Sequence, residues 1–224
     1  MDNPARTAEF IIHRDARRAT LQQHLAELLA AHSRITLEIG AGHGHFLTDY
    51  ATAHREEFCL GFDLLRDRVE RAQRKCNRAK LTNLVFLKAE AAELIAALPA
   101  HVVLQRIFVL FPDPWPKRRH HKHRLMQTDF LHPLAAKAAA GAELCFRTDD
   151  AAYFAAAKAE VLAHPDWEIT PTAPWPFERE TVFQSRAPAY QSLVALRRTI
   201  SLNFEQNQSL VAEVKLNRIV GKIR

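Results

Sequence analysis

Asp113 stands in the turn Pro112-Asp113-Pro114-Trp115-Pro116, and the eight residues behind it, Lys117 to Arg124, are every one Lys, Arg or His. Three prolines remove three backbone donors and fix φ, so neither strand nor helix continues through the turn. A carboxylate on a stiff turn, followed at once by a dense cationic stretch, is the layout of a site for chemistry on a polyanion. The cations offer phosphate charge-assisted hydrogen bonds, and arginine can engage it bidentately. The bland alternative is a solvated basic turn. His120, His121 and His123 could suggest a metal, but no carboxylate is interleaved and five cations surround them, so no metal is expected.

A second constellation lies upstream, in Glu38-Ile39-Gly40-Ala41-Gly42-His43-Gly44. Glycines at 40, 42 and 44 let backbone approach a ligand closely, because no Cβ stands in the way. His45-Phe46 breaks the GxGxxG of a dinucleotide fold. A ligand without a pyrophosphate suits this turn better, which favours S-adenosylmethionine over a nicotinamide cofactor. Asp63 can hold a ribose diol with two acceptor oxygens, as the corresponding acid does for NAD.

These residues need a scaffold that brings them together, and the hydrophobic pattern supplies one. Apolar runs predict strands at Arg34–Ile39, Phe58–Phe62, Asn83–Leu87, Ile107–Phe111 and Glu143–Arg147. Helical periodicity fills the gaps: from about His45, Arg66 to Lys80, a short helix ending near Pro99, Leu125 to Ala140 with Gly141 as its stop, and Ala151 to Ala163. Strand and helix alternate five times, which calls for a mostly parallel sheet with helices on both faces. In such a sheet, ligands bind beyond the carboxyl ends of the strands. Glu38, Asp63, Glu90, Asp113 and Asp149 all mark such ends, and together they outline one crevice.

The flanks read differently. Residues 1 to about 14 look like an arm, and Asp15 to Ala31 reads as a capping helix with Leu21, Leu25, Leu28 and Leu29 on one face. Beyond His164, prolines 165, 171, 174 and 176 punctuate a loop, and a last apolar run, Leu193 to Leu196, suggests an antiparallel edge. Asn203 to Arg224 reads as a short helix. The expected organisation is one domain over 34–200, an arm and capping helix over 1–33 and an extension over 201–224.

At 224 residues the chain can bury a full core, and its formal net charge of +6 argues for an acidic partner such as nucleic acid. Cys59, Cys76 and Cys145 lack metal or disulfide spacing, which fits packing residues in a reducing compartment. No signal-peptide pattern opens the chain and no apolar run approaches the roughly 20 residues of a membrane span. A cytoplasmic protein is expected; oligomeric state is not legible.

FPDPWPKRRHHKHRLMQTDFL resembles the hallmark of the bacterial TrmB-type tRNA (guanine-N7)-methyltransferases. LEIGAGHGHFL resembles that family's cofactor loop, and ELCFRTDDAAYF its following strand and loop. The likeness runs from about Arg34 to Arg198. It implies a Rossmann-like class I methyltransferase fold and methylation of a guanine N7 in tRNA. S-adenosylmethionine would be held by Glu38, Gly40, Gly42, Gly44, Asp63 and Glu90, the last a position where the family more often has Asp or Asn. Asp113 matches the catalytic acid. Lys117, Arg119, Lys122, Arg124, Asp149, Thr181 and Gln184 match substrate contacts. Gln184 replaces a glutamate of the family's Thr-x-x-Glu, keeping reach and hydrogen bonding but losing charge. Three other readings remain: methylation of another RNA base, a non-catalytic RNA-binding protein on the same scaffold and, more distantly, a nicotinamide oxidoreductase.

Overall fold

β1, Arg34–Ile39, buries every residue but its first, as a strand covered on both faces must. The computed structural model describes residues 4–179 and 189–199, with side chains from Asp15 onward. In chain order, α1 (Pro4–Leu28) precedes β1, followed by α2 (His45–Ala53), β2 (Phe58–Asp63), α3 (Arg66–Arg78), β3 (Leu84–Lys88) and α4 (Ala91–Ala97). Then come β4 (Val103–Leu110), a 3-10 turn (Arg118–His123), α5 (Thr128–Lys137), β5 (Ala138–Thr148), α6 (Ala151–Ala163), β6 (Trp167–Ile169) and β7 (Gln191–Arg197).

The seven strands form one sheet in the order β3-β2-β1-β4-β5-β7-β6. β1 to β5 pair in parallel, and β7 runs antiparallel to both β5 and β6. The chain winds outward from β1 to β3 and then returns to place β4 on the other side of β1. That reversal opens a crevice at the carboxyl ends of β1 and β4. Glu38 pairs with Phe108 and Ile39 with Val109, so the glycine turn and the Asp113 turn leave the sheet side by side.

Alternation along the strands divides the core in two. Leu37, Ile39, Ile107, Val109, Leu144 and Phe146 pack with residues of α4, α5 and α6. Cys59, Phe108, Cys145 and Val194 face the other way, with residues of α2 and α3. The three cysteines are free and buried, and burial pushes the thiols of all three up.

Several boundaries depart from expectation, among them β4, which runs Val103–Leu110 rather than Ile107–Phe111. α1 begins at Pro4, so the stretch read as an arm is helical backbone; its polar start gives no apolar period to read, while proline suits a first helical position. The helix expected to reach Ala140 ends at Lys137, and Gly141 does not stop it. Ala138 pairs with Leu104 and Glu143 with Arg106, so residues 139–142 bulge out of β5 with Gly141 at φ 75°. The alanine-rich run favours helix locally, and pairing with β4 overrides it. Trp167, read as part of a loop, opens β6, which forms the sheet's outer edge; three residues are too few to show a period. Its ring is fully buried and its indole N–H donates to the Leu131 carbonyl at 3.3 Å. The helix expected over 203–224 lies outside the described residues.

α2 and α3 approach the sheet closely because two positions lack a side chain. A Cβ on Gly44 would lie 2.6 Å from Ala72 Cβ and 2.6 Å from Phe86 Cζ, and one on Gly61 would lie 2.5 Å from the Phe86 ring. Gly44 also has φ 68°, whereas Gly42, at φ 53°, would meet nothing within 4 Å. Gly44→Ala should therefore cost well over the 1–2 kcal/mol of left-handed backbone strain, and Gly42→Ala about that strain alone. Urea unfolding of the two variants separates the contributions; equal losses would mean that Phe86 moves aside freely.

Candidate active site

β1 delivers Glu38 beneath the first turn of α2, where it is 4% exposed. Burial, opposed by the Leu47 N–H and reinforced by Asp63, pushes its carboxyl up to about 8. Its Oε2 is buried without a hydrogen-bond partner among the described residues. Such an atom is costly unless a ligand satisfies it. Asp63, 6% exposed at the end of β2, accepts the Gly42 N–H at 3.0 Å and the Leu65 N–H at 2.9 Å. It thus latches the glycine turn, and each oxygen keeps a further lone pair. Arg68 lies 3.6 Å from it. Gly40 and Gly42 leave open space where a Cβ would sit. Leu64 and Leu65, next to Asp63, are exposed apolar side chains. Glu90 is exposed and caps α4, accepting the Glu93 N–H at 2.9 Å.

At the exit of β4 the chain turns through Phe111, at φ 49°, whose N–H donates to the Arg147 carbonyl at 2.8 Å. Trp115, at φ 47°, repeats the left-handed conformation. Two non-glycine residues in that region cost roughly 1–3 kcal/mol each and persist only where the surroundings impose them. Between them Asp113 is exposed, with no hydrogen-bond partner among the described residues. Trp115 is 37% exposed. His120 and His123 lie against its ring, at centroid distances of 5.8 and 5.1 Å.

Lys117, Arg119 and Lys122 are exposed on the 3-10 turn and its approach. Arg124, grouped with them by sequence, is placed differently: it is 7% exposed and points inward. Its Nε–H donates to the Pro114 carbonyl at 2.8 Å, and one terminal nitrogen lies 4.0 Å from an Asp150 oxygen. Its guanidinium sits 4.9 Å from the Tyr153 ring centroid. Asp150 in turn caps α6 by accepting the Tyr153 N–H at 2.6 Å. This buried cation clamps the Asp113 turn onto the start of α6.

Asp149 is exposed at the end of β5, beside this clamp. Sequence reasoning missed Arg147, two residues earlier and 3% exposed. Its Nε–H donates to Ser192 Oγ at 2.8 Å, and its terminal nitrogens reach both Glu178 oxygens at 3.1 and 3.3 Å. The Trp175 and Tyr190 rings lie 4.0 and 4.7 Å from it. An arginine inside an apolar strand was the available signal. Thr181 and Gln184 lie outside the described residues.

Two measurements test these assignments. Glu38 keeps its proton to about pH 8 when folded and loses it near pH 4 when unfolded, so stability falls as pH rises through that window. Glu38→Gln, which cannot ionise, should therefore gain on the wild type in Tm between about pH 5 and about pH 9; a constant offset would sink the assignment. Arg124→Gln should lower unfolding free energy by about 2 kcal/mol, and Arg119→Gln by less than about 0.5. Equal effects in urea titration would show that Arg124 is no clamp.

Comparison with known proteins agrees with this geometry. The family described as "Putative methyltransferase" (Methyltransf_4) matches residues 32–192. A tRNA (guanine-N(7)-)-methyltransferase of Rhodospirillum rubrum is 35% identical over 170 residues, covering 70% of this chain and 66% of the relative. One of the same name from Synechococcus elongatus is 34% identical over 169 residues, covering 70% and 79%. The matched part thus spans just under two thirds of the first relative's length. Among solved structures, a variant of the 16S rRNA (adenine(1408)-N(1))-methyltransferase from Catenulisporales acidiphilia, with cosubstrate SAM, shares the fold. Its TM-score is 0.53 at 19% identity, covering 80% of this chain and 92% of that one. The matched stretch holds the glycine turn, the Asp113 turn and the cationic segment in one sheet, and the chain belongs to this methyltransferase family, that of the TrmB-type tRNA (guanine-N7)-methyltransferases.

Proposed function

We propose that the chain transfers a methyl group from S-adenosylmethionine to N7 of a guanine in tRNA, with Asp113 facing the base. The observation that carries this reading is the pairing of two turns at the sheet's switch point. One is open and acid-lined, and the other presents a single exposed carboxylate on a clamped backbone.

The residues fit the cosubstrate. Glu38 Oε2 is a buried acceptor in need of a partner, and an amine beside it lowers the carboxyl's pKa and ionises it. Gly40 and Gly42 leave room for close approach. Asp63 retains lone pairs for a diol, Leu64 and Leu65 offer apolar flanks for a flat ring, and the second oxygen of Glu90 can accept from an exocyclic amine. When bound, the group supplies a methyl carbon activated by a sulfonium sulfur.

Guanine N7 carries an in-plane lone pair and no proton, so no strong general base is required. The protein's task is alignment, which can contribute up to about 7–11 kcal/mol. Asp113 can accept hydrogen bonds from the guanine N1–H and amino group, and its charge offsets the positive charge that develops on the purine. Lys117, Arg119 and Lys122 would hold phosphates nearby, with Asp149 at the rim. A cytoplasmic setting follows from this substrate. No helix among the described residues is long and apolar enough to cross a membrane.

The test is incubation with unmodified tRNA and methyl-labelled S-adenosylmethionine, followed by nucleoside mass spectrometry. Label should appear as 7-methylguanosine. Asp113→Asn should lower kcat by about 100-fold or more and leave tRNA affinity nearly intact; equal losses of rate and affinity would remove Asp113 from the chemistry. Bound tRNA without label would make the chain an RNA-binding protein.

A further inference from the structure

α3 carries a charge that the fold does not use. Between Arg66 and Lys80 the sequence has seven Lys or Arg against two acids, a surplus of five in a chain whose formal net charge is +6. Three of the seven are engaged within the molecule. Arg66 pairs with Glu70 at 2.8 Å, Arg68 lies 3.6 Å from Asp63, and Lys75 Nζ donates to the His43 carbonyl at 2.8 Å. Arg71, Arg74, Arg78 and Lys80 are exposed.

The spacing of the three arginines, i, i+3 and i+7, places them on one stripe of the helix. Ala72 and Cys76 are buried on the opposite side, packed with Phe86 and Leu84 of β3. Like charges at this spacing repel and weaken a helix, a cost that a polyanion would relieve. Lys80 adds to the picture: it stands just past the helix with φ 51°, where glycine is the unstrained residue.

The stripe is also well placed. α3 starts beside Asp63 and runs back along the sheet, so Arg71 is nearest the crevice and Arg78 about 10 Å farther along the axis. With β1 at the crevice, α3 crosses between β2 and β3 on one side and the Arg118–His123 turn follows β4 on the other. Two cationic features therefore flank the opening.

We propose that Arg71, Arg74 and Arg78 form a second contact for the phosphate backbone of the tRNA whose base enters at Asp113; this rests on the function proposed above. One tRNA is gripped on both sides of the crevice, and the α3 contact reads backbone charge rather than base identity.

The test is equilibrium binding of the full chain to unmodified tRNA over a graded series of KCl concentrations. In the combined Arg71→Gln, Arg74→Gln, Arg78→Gln variant, the slope of log affinity against log salt should shrink by about 2 to 3, near 0.9 per lost phosphate contact. Kd should rise at least about tenfold at low salt, with Tm held. Lysine at the same three positions should restore most of the slope. A variant that binds with the wild-type slope and Kd overturns the contact. Should the triple variant lose Tm, the three single variants decide, each expected to reduce the slope by about 1. Wild-type turnover on the same tRNA reports separately. Methylated tRNA with an unchanged slope overturns the α3 contact alone, whereas salt-sensitive binding without methylation overturns the methyl-transfer reading and leaves the contact standing.

Discussion

The hydrogen bond from Arg124 to the Pro114 carbonyl is the interaction on which the site depends. Prolines alone stiffen the Pro112–Pro116 turn but do not aim it. Phe111 just before it and Trp115 within it stand in left-handed backbone that their side chains disfavour. The guanidinium supplies what the turn lacks, a buried donor that fixes one carbonyl against α6. Because Asp150 caps α6 and also faces Arg124, the helix, the turn and the strand exit are held as one body.

Charge is arranged by depth. Glu38 is buried with one oxygen lacking a partner, Asp63 is buried and held by backbone N–H groups, and Asp113 and Asp149 are exposed. The deep acids lie at the floor of the crevice, largely out of reach of solvent. The outer acids stand at its mouth, open to solvent. The arginines divide in the same way. Arg124 and Arg147 are consumed by carbonyls, carboxylates and aromatic faces inside the fold, while Arg119, Arg71, Arg74 and Arg78 remain outside.

Much of this was legible in the sequence because burial on both faces leaves a plain signature. β1 and α6 fall at their expected limits, and every strand-end acid proves to stand at the carboxyl end of a strand. What stayed hidden was decided by neighbours distant in the chain. Arg124 has the same side chain as Arg119, and only the Pro114 carbonyl and the Tyr153 ring make it a clamp. The run before Gly141 is helical by local preference, and only Leu104 turns Ala138 into a strand residue. Arg147, in sequence only the end of an apolar strand, is engaged by Trp175, Tyr190 and Glu178, all distant in the chain.

The place of β7 has a consequence for how the chain is made. Its antiparallel pairing covers the outer edge of β5 from Glu143 to Thr148, yet β7 begins at Gln191, more than forty residues later. During synthesis, at roughly 5–20 residues per second, that edge stands uncovered for seconds after the first five strands have emerged. An open apolar strand is a template for pairing with other chains. The nascent protein is thus most vulnerable after its Asp113 turn has been synthesised and before its last strand has arrived, an interval in which a chaperone at the ribosome has the most to protect.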